Sequence, residues 1–539
     1  MHTPTPRGKR RILYVSDPSS IATNMISDPA EESDLRRWVD IVADSGVDTF
    51  DQEVFSQGWT VYWRSPNLEY DQRHQHQRFL PMLERGTTPL EVLIDQCRTR
   101  GLSFIAGFRV NDDHAFQARQ QGVGIAGFIE SNPDLRMKEV PQGDYYKMAE
   151  PLDFTHEPVR DFTFGVVEEV VQRFDLDGIE MCMRDHAYFP PGTGRQRAHL
   201  MTDMFRKVRA LLDDAGARKG RKLAAGVRVP ATIDECADLG LDVPAWIAEG
   251  LIDYVSPQDS MYADFNLPYE SWSELTRASD CMLYPALQPW SSNRRRARMD
   301  QIMLNSANTR ALAHTFYGAG ADGVSIYNHF CAMWNEPFYP YPMQIFHQLR
   351  DPEIIAAGER HYVFDATWGG VEGFGGEGRA ATGTVNANRL VLPRQEGASG
   401  TYGLNLYEDL SLASGAVLLF RGFGLLENDD LEVSLNGQAV PDRDVGRTRA
   451  TQTPIDWGHV REAGGQKIKC IPEQARVEFR PDGEPPFSTR WFGLNESMLR
   501  RGDNCLEVRL TKSDPAATSN DPIVIDEVEV SVMPKVREF

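Results

Sequence analysis

Residues 109–114 read Arg-Val-Asn-Asp-Asp-His and follow the apolar run Phe104-Ile-Ala-Gly-Phe108. Packing alone has no need of a cation, an amide, two carboxylates and an imidazole at one strand tip. Chemistry on a charged or hydroxylated substrate does. His114 beside Asp112 has the makings of an acid/base pair, because a neighbouring carboxylate raises and orients an imidazole that titrates near neutral pH. A histidine that only holds a loop would look the same. Arg109, Arg184 and Arg228 offer planar forks that match a carboxylate at two points. Asp17 is a further carboxylate, alone at the end of its own apolar run.

These groups sit at one kind of place. Eight short apolar runs, over 11–16, 47–50 and onward, 103–108, 178–183, 223–229, 252–256, 281–284 and 323–327, alternate with amphipathic stretches. Runs apolar on both faces and bounded by turn residues are the mark of parallel strands. The spacing predicts helices over 34–43, 159–174, 200–212 and 307–317. Eight strand–helix units predict an α/β fold, a (β/α)8 TIM barrel, whose catalytic groups lie at the C-terminal strand ends. Collected there are Asp17, Gln57 beyond the second run, Arg109, Asn111, Asp112 and His114, Glu180 and Arg184, Arg228, and Tyr327 with Asn328. Glu180 points inward by alternation with Cys182 and Arg184, as a catalytic group or as a clamp on the arginines.

Near Asp365 the pattern changes. A glycine-rich stretch over 367–378 gives way to alternating runs at 415–420, 431–435, 505–510 and 523–532, with a hairpin signal at Asn436-Gly437. The expected division is a catalytic barrel over 1–364 and a C-terminal β-sandwich, jelly-roll-like, over 365–539. Such a module need have no ligand of its own.

A net charge of −21 argues against nucleic acid or an anionic membrane as partner, since both need a basic face. No apolar run approaches the roughly 20 residues that span a bilayer. The basic segment 1–11 lacks a signal-peptide core and leads into a strand, so a cytoplasmic location is expected; a processed secreted chain would read the same. Seven scattered cysteines without a C-x-x-C pair predict buried reduced thiols. His74-Gln-His76 lies in a polar stretch and is expected to be solvated. No metal-binding or nucleotide-binding motif is present, so neither metal nor cofactor is expected. A strand-tip lysine for Schiff-base chemistry is also missing.

Tyr14-Val-Ser-Asp17, the 109–114 tip, Phe174-Asp-Leu-Asp-Gly-Ile-Glu180 with Arg184, Gly226-Val-Arg-Val-Pro-Ala231 and Ile326-Tyr-Asn328 together resemble bacterial glycoside-hydrolase-like barrels. Within that group the spacing is similar to the inverting exo-sialidases. The resemblance implies a barrel with a C-terminal β domain, a homodimer, a sialylated glycan as substrate, and a strand-1 aspartate paired with a histidine after strand 3. Those positions fall on Asp17 and His114, with Arg109, Asp112, Arg184 and Asn328 at further active-site positions. Sialic acid carries a carboxylate on its anomeric carbon, which an arginine cluster would hold. An inverting mechanism needs an acid, a base and room for water between them. His114 is then the acid and Asp17 the base, or the two exchange roles. Tyr262, Tyr284 and Tyr327 keep a retaining mechanism open. Other glycans, a polysaccharide lyase and a catalytically silent glycan-binding barrel are the alternatives.

Overall fold

The computed structural model describes residues 11–18, 21, 27–55, 59–111, 122, 124–139, 151–183, 187–258, 263, 265–288, 290–292, 302–327, 329, 341–365, 390–426, 428–440, 444–450, 460–463, 466–469, 487–517 and 522–535. His114, Asp112, Arg184, Asn328, Gln57 and Tyr262 fall outside them.

Seven of the eight parallel strands expected from the sequence are β1 (Ile12–Ser16), β2 (Thr49–Glu53), β3 (Ser103–Arg109), β4 (Gly178–Cys182), β5 (Ala224–Pro230), β6 (Tyr254–Gln258) and β7 (Met282–Leu283), the eighth is β11 below, and a short strand that was not expected, β8 (Ala286–Leu287), follows β7. A short antiparallel pair, β9 (Trp290–Ser292) with β10 (Ile302–Met303), comes next, and β11 (Val324–Ile326) completes the parallel set. The ladder runs β7-β6-β5-β4-β3-β2-β1-β11-β8. Its two ends are one run of chain, because β7 and β8 are separated only by Tyr284 and Pro285. Proline has no N–H for a ladder bond, and the run changes neighbour there. Tyr284 N donates to Val255 O at 2.9 Å, whereas Ser325 N donates to Pro285 O at 2.9 Å. The sheet therefore closes into the (β/α)8 barrel.

Helices Glu32–Asp44, Pro89–Arg100, Glu157–Arg173 and Gly194–Lys219 alternate with these strands. The second shows why it starts and stops where it does. Thr88 and Glu91 form a capping box and Pro89 occupies the first turn. Gly101, at φ 72°, ends it in the left-handed conformation.

Inward strand positions stack in layers. Leu13, Tyr254 and Tyr284 pack together low in the barrel, and Val15, Cys182 and Tyr327 pack higher up. Gly226 is glycine because the Tyr254 ring fills the place of a side chain there: a Cβ would lie 1.9 Å from Tyr254 Cζ.

The chain divides into two compact units. One holds 1–260, 269–289 and 320–350; the other holds 261–268, 290–319 and 351–539. The second unit thus takes in the helix Ser306–Ala319 and the strand β12 (Arg360–Asp365), which straddles the expected boundary. Arg360–Asp365 pairs antiparallel with the strand Ile523–Pro534, and Asn308 Nδ2 donates to His361 O at 2.8 Å. The strands of this unit form two main antiparallel sheets, the expected β-sandwich. Their inner faces include Leu404, Leu406, Val508 and Leu510 on one sheet and Leu418, Phe420, Val530 and Val532 on the other. The hairpin at Asn436-Gly437 is formed, with both residues at positive φ.

Candidate active site

Strand ends β1, β2, β3 and β11 bring four polar side chains together. Arg109 donates from one terminal nitrogen to Asp17 Oδ2 at 2.6 Å and to the Tyr327 hydroxyl at 3.2 Å. Glu53 Oε2 lies 3.1 Å from that same nitrogen. Tyr327 in turn donates to Glu53 Oε1 at 3.2 Å. All four are buried, and Asp17 and Arg109 retain 6% and 7% exposure. Two carboxylates on one guanidinium nitrogen leave this corner with an excess of negative charge among the described residues. The end of β1 is itself held: Gln52 donates to Ser16 O at 2.9 Å, and Trp38 Nε1 to Ser16 Oγ at 3.2 Å.

A second polar layer contains Arg228. Its Nε donates to Glu180 Oε1 at 2.7 Å and one terminal nitrogen to Glu180 Oε2 at 3.2 Å. The remaining donors reach Gln258 Oε1 at 2.8 Å and Ser325 Oγ at 2.7 Å. The guanidinium lies over the Tyr327 ring, 4.9 Å from its centroid, so Tyr327 joins the two layers. Arg228 is 0% exposed. The expectation that it holds a substrate anion is therefore corrected: its fork grips Glu180. Glu180 is correspondingly a clamp on Arg228 and not a substrate contact.

Asp51 belongs to this layer. Burial, together with the neighbouring Glu180 carboxylate, pushes it well above the usual carboxylate range. It has room because residue 107 is glycine, where a Cβ would come within 2.6 Å of Asp51 Oδ1 and 3.2 Å of Glu53 Cγ. Burial, with the Asp17 and Glu53 charges adding to it, likewise raises the Tyr62 phenol.

Asn111 is also corrected. Its amide donates to Leu152 O at 3.0 Å and to Ala187 O, and accepts from Leu152 N at 2.9 Å. It ties two loops together at φ 61°, a conformation asparagine tolerates better than most residues, and its polar atoms are not turned to a substrate.

His76 departs from the expected solvated loop. It lies in the short helix His74–Gln77 and is 0% exposed, with its ring against Tyr62 at 5.6 Å. Its Nδ1 is 3.1 Å from Asp71 Oδ2, and Arg73 NH2 reaches that oxygen at 2.7 Å. Burial lowers its pKa to about 4.

Of the residues singled out from the sequence, the structure brings Asp17, Arg109 and Tyr327 together; Asp51 and Glu53 were not among those singled out. The signal was there: Phe50-Asp-Gln-Glu-Val54 puts acidic residues two apart on one face of a buried strand.

Residues 20–208 match the family model described as Glycosyl hydrolase-like 10, so this part of the barrel is similar to glycoside hydrolases. Among solved structures, the chain is similar to a glycoside hydrolase domain of PgaB (BpsB) from Bordetella bronchiseptica. The identity is 16% and the TM-score 0.37, over 64% of this chain and 99% of that one. It is similar to a cycloisomaltooligosaccharide glucanotransferase from Paenibacillus sp., at 9% identity and TM-score 0.35, over 96% of this chain and 57% of that one. An alpha-L-fucosidase isoenzyme 2 from Paenibacillus thiaminolyticus shows 10% identity and TM-score 0.39, over 66% and 51%. The chain spans little more than half the length of the last two. Comparison with curated proteins finds no match.

Proposed function

We propose that this chain is an exo-acting glycoside hydrolase that releases terminal sialic acid with inversion of configuration. Asp17 is the general base on water, and His114, tuned by Asp112, is the general acid on the leaving oxygen. The observation that carries the assignment is the buried Asp17–Arg109 pair, made between the tips of β1 and β3 across β2, with 2.6 Å between the charged atoms. An arginine favours the ionised form of a nearby carboxylate, and a base must be ionised to take a proton. The family match over 20–208 supports hydrolysis of a glycosidic bond.

Specificity for sialic acid rests on the resemblance. With Arg228 committed to Glu180 and Arg109 to Asp17 and Glu53, the substrate carboxylate falls to Arg184, and Asn328 and Gln57 are assigned to the sugar hydroxyls. The homodimer is carried by the resemblance alone.

The test is incubation with sialyl reporter glycosides, followed by NMR of the first-formed anomer. Inverted product supports the proposal. Product of retained configuration overturns inversion. Hydrolysis of other glycosides with none of sialosides overturns the choice of sugar. An unsaturated product absorbing in the ultraviolet would instead make the protein a lyase.

A further inference from the structure

Glu53 has no part in the acid/base assignment above, yet it occupies the centre of the described cluster. Its two oxygens take different partners: Oε2 lies 3.1 Å from Arg109, and Oε1 accepts from Tyr327 at 3.2 Å. It is 1% exposed and approaches the nitrogen that Asp17 uses. The oxygens of the two carboxylates are thus less than about 6 Å apart, close enough for each to raise the other's proton affinity. Gly107 keeps the space open, since any Cβ there would press on the Glu53 side chain at 3.2 Å.

We infer that Glu53 is a positioning residue that sets the proton affinity of Asp17 by competing with it for Arg109. The inference rests on the reading of Asp17 as the catalytic base. Without Glu53, Asp17 would be the one carboxylate that meets Arg109 among the described residues, and it would bind a proton less tightly. With Glu53 ionised beside it, the guanidinium charge is divided and Asp17 binds a proton more tightly. A general base works best when its pKa approaches the working pH. Tyr327 limits the effect by giving Glu53 a hydrogen bond of its own.

The described groups around Asp17 come from several elements. Arg109 reaches it from β3, and Glu53 from β2 through Arg109. Tyr327, just after β11, bonds both of these. The Tyr62 phenol and the His76 ring both feel the Asp17 charge, with Asp71 and Arg73 behind His76. Of these, Glu53 is the carboxylate that meets Arg109 directly beside Asp17.

The experiment is the pH profile of kcat/KM for whichever glycoside the wild-type protein turns over. Glu53→Gln keeps the shape and removes the charge. Its acidic limb is expected to move to lower pH by on the order of one unit, with kcat falling more than KM changes. Glu53→Asp keeps the charge, so its limb should stay near the wild-type position even where kcat falls. Tyr327→Phe keeps Glu53 charged and removes the hydroxyl that shares it, so its limb should move upward. This variant decides the matter should Glu53→Gln fail to fold by circular dichroism. A Glu53→Gln limb at the wild-type position, an equal downward shift in Glu53→Asp, or a Tyr327→Phe limb that stays in place or moves downward would overturn the inference. Asp17→Asn separates the two levels of the argument. Full activity in that variant overturns Asp17 as base. Loss of activity there, with no shift in Glu53→Gln, overturns the role of Glu53 alone.

Discussion

Arg228 and Glu180, on adjacent strands of the barrel, form a fully buried two-point ion pair, Nε to Oε1 at 2.7 Å and a terminal nitrogen to Oε2 at 3.2 Å. Glu180→Ala would leave a cation buried without its partner, and breaking such a pair costs about 3–5 kcal/mol. Denaturant unfolding should show that loss. Arg228→Lys should not restore it, because lysine has no planar fork. A stability change under about 1 kcal/mol, with sugar affinity lost instead, would return Arg228 to the substrate.

Asn111→Ala should lower stability by about 2–4 kcal/mol, since it strips the bonds to Leu152 and Ala187 and leaves a β-carbon at φ 61°. Thermal unfolding checks it, and the binding constant for sugar should be unchanged in the folded fraction.

Much of this architecture was legible in the sequence, and the exceptions have physical reasons. Glu180 is placed on the inward face by the two-residue period of strands, and Arg228 at the end of its run. That period says nothing about what a charged group meets there, so Arg228 reads as a substrate contact while Glu180 stays open between a catalytic group and a clamp on the arginines. Asp51 and Glu53 were missed because the second run was read for its apolar start and for Gln57 beyond it, whereas β2 itself carries acidic side chains to its end at Glu53. Their burial is possible only because Gly107 on the next strand leaves space. His76 sits between two glutamines, and its burial depends on Asp71, Arg73 and Tyr62, which local polarity does not reveal.

Asp51 should tilt stability with pH. Its folded pKa lies well above the ordinary carboxylate value, chiefly through burial. The folded state therefore keeps a proton that the unfolded chain gives up. Stability from this group is complete below about pH 4 and falls as pH rises towards the folded pKa, by at most about 1.4 kcal/mol per pH unit. Asp51→Asn cannot ionise. Urea midpoints across this range should show the variant gaining on wild type as pH rises; parallel curves would mean that Asp51 ionises freely.

His76 acts on the acid side with the opposite sign. Its folded pKa of about 4 lies below the ordinary imidazole value, so its neutral form is the one the fold accepts. Its contribution is whole above about pH 6.5 and is lost as pH falls towards 4. His76→Gln should flatten the stability curve between those limits. An unchanged acid slope would show that His76 protonates in the folded protein.

The central claim is that Asp17 activates water in a glycosidase whose leaving group is protonated by His114. The most direct measurement compares kcat/KM of Asp17→Ala on an activated aryl glycoside and on a glycoside with a poor leaving group. Both should fall by roughly 10²–10⁴-fold, because water attack is needed whichever group leaves. His114→Ala should spare the activated substrate. If Asp17→Ala spares the activated substrate while His114→Ala damages both alike, the acid is Asp17 and the assignment made here is contradicted.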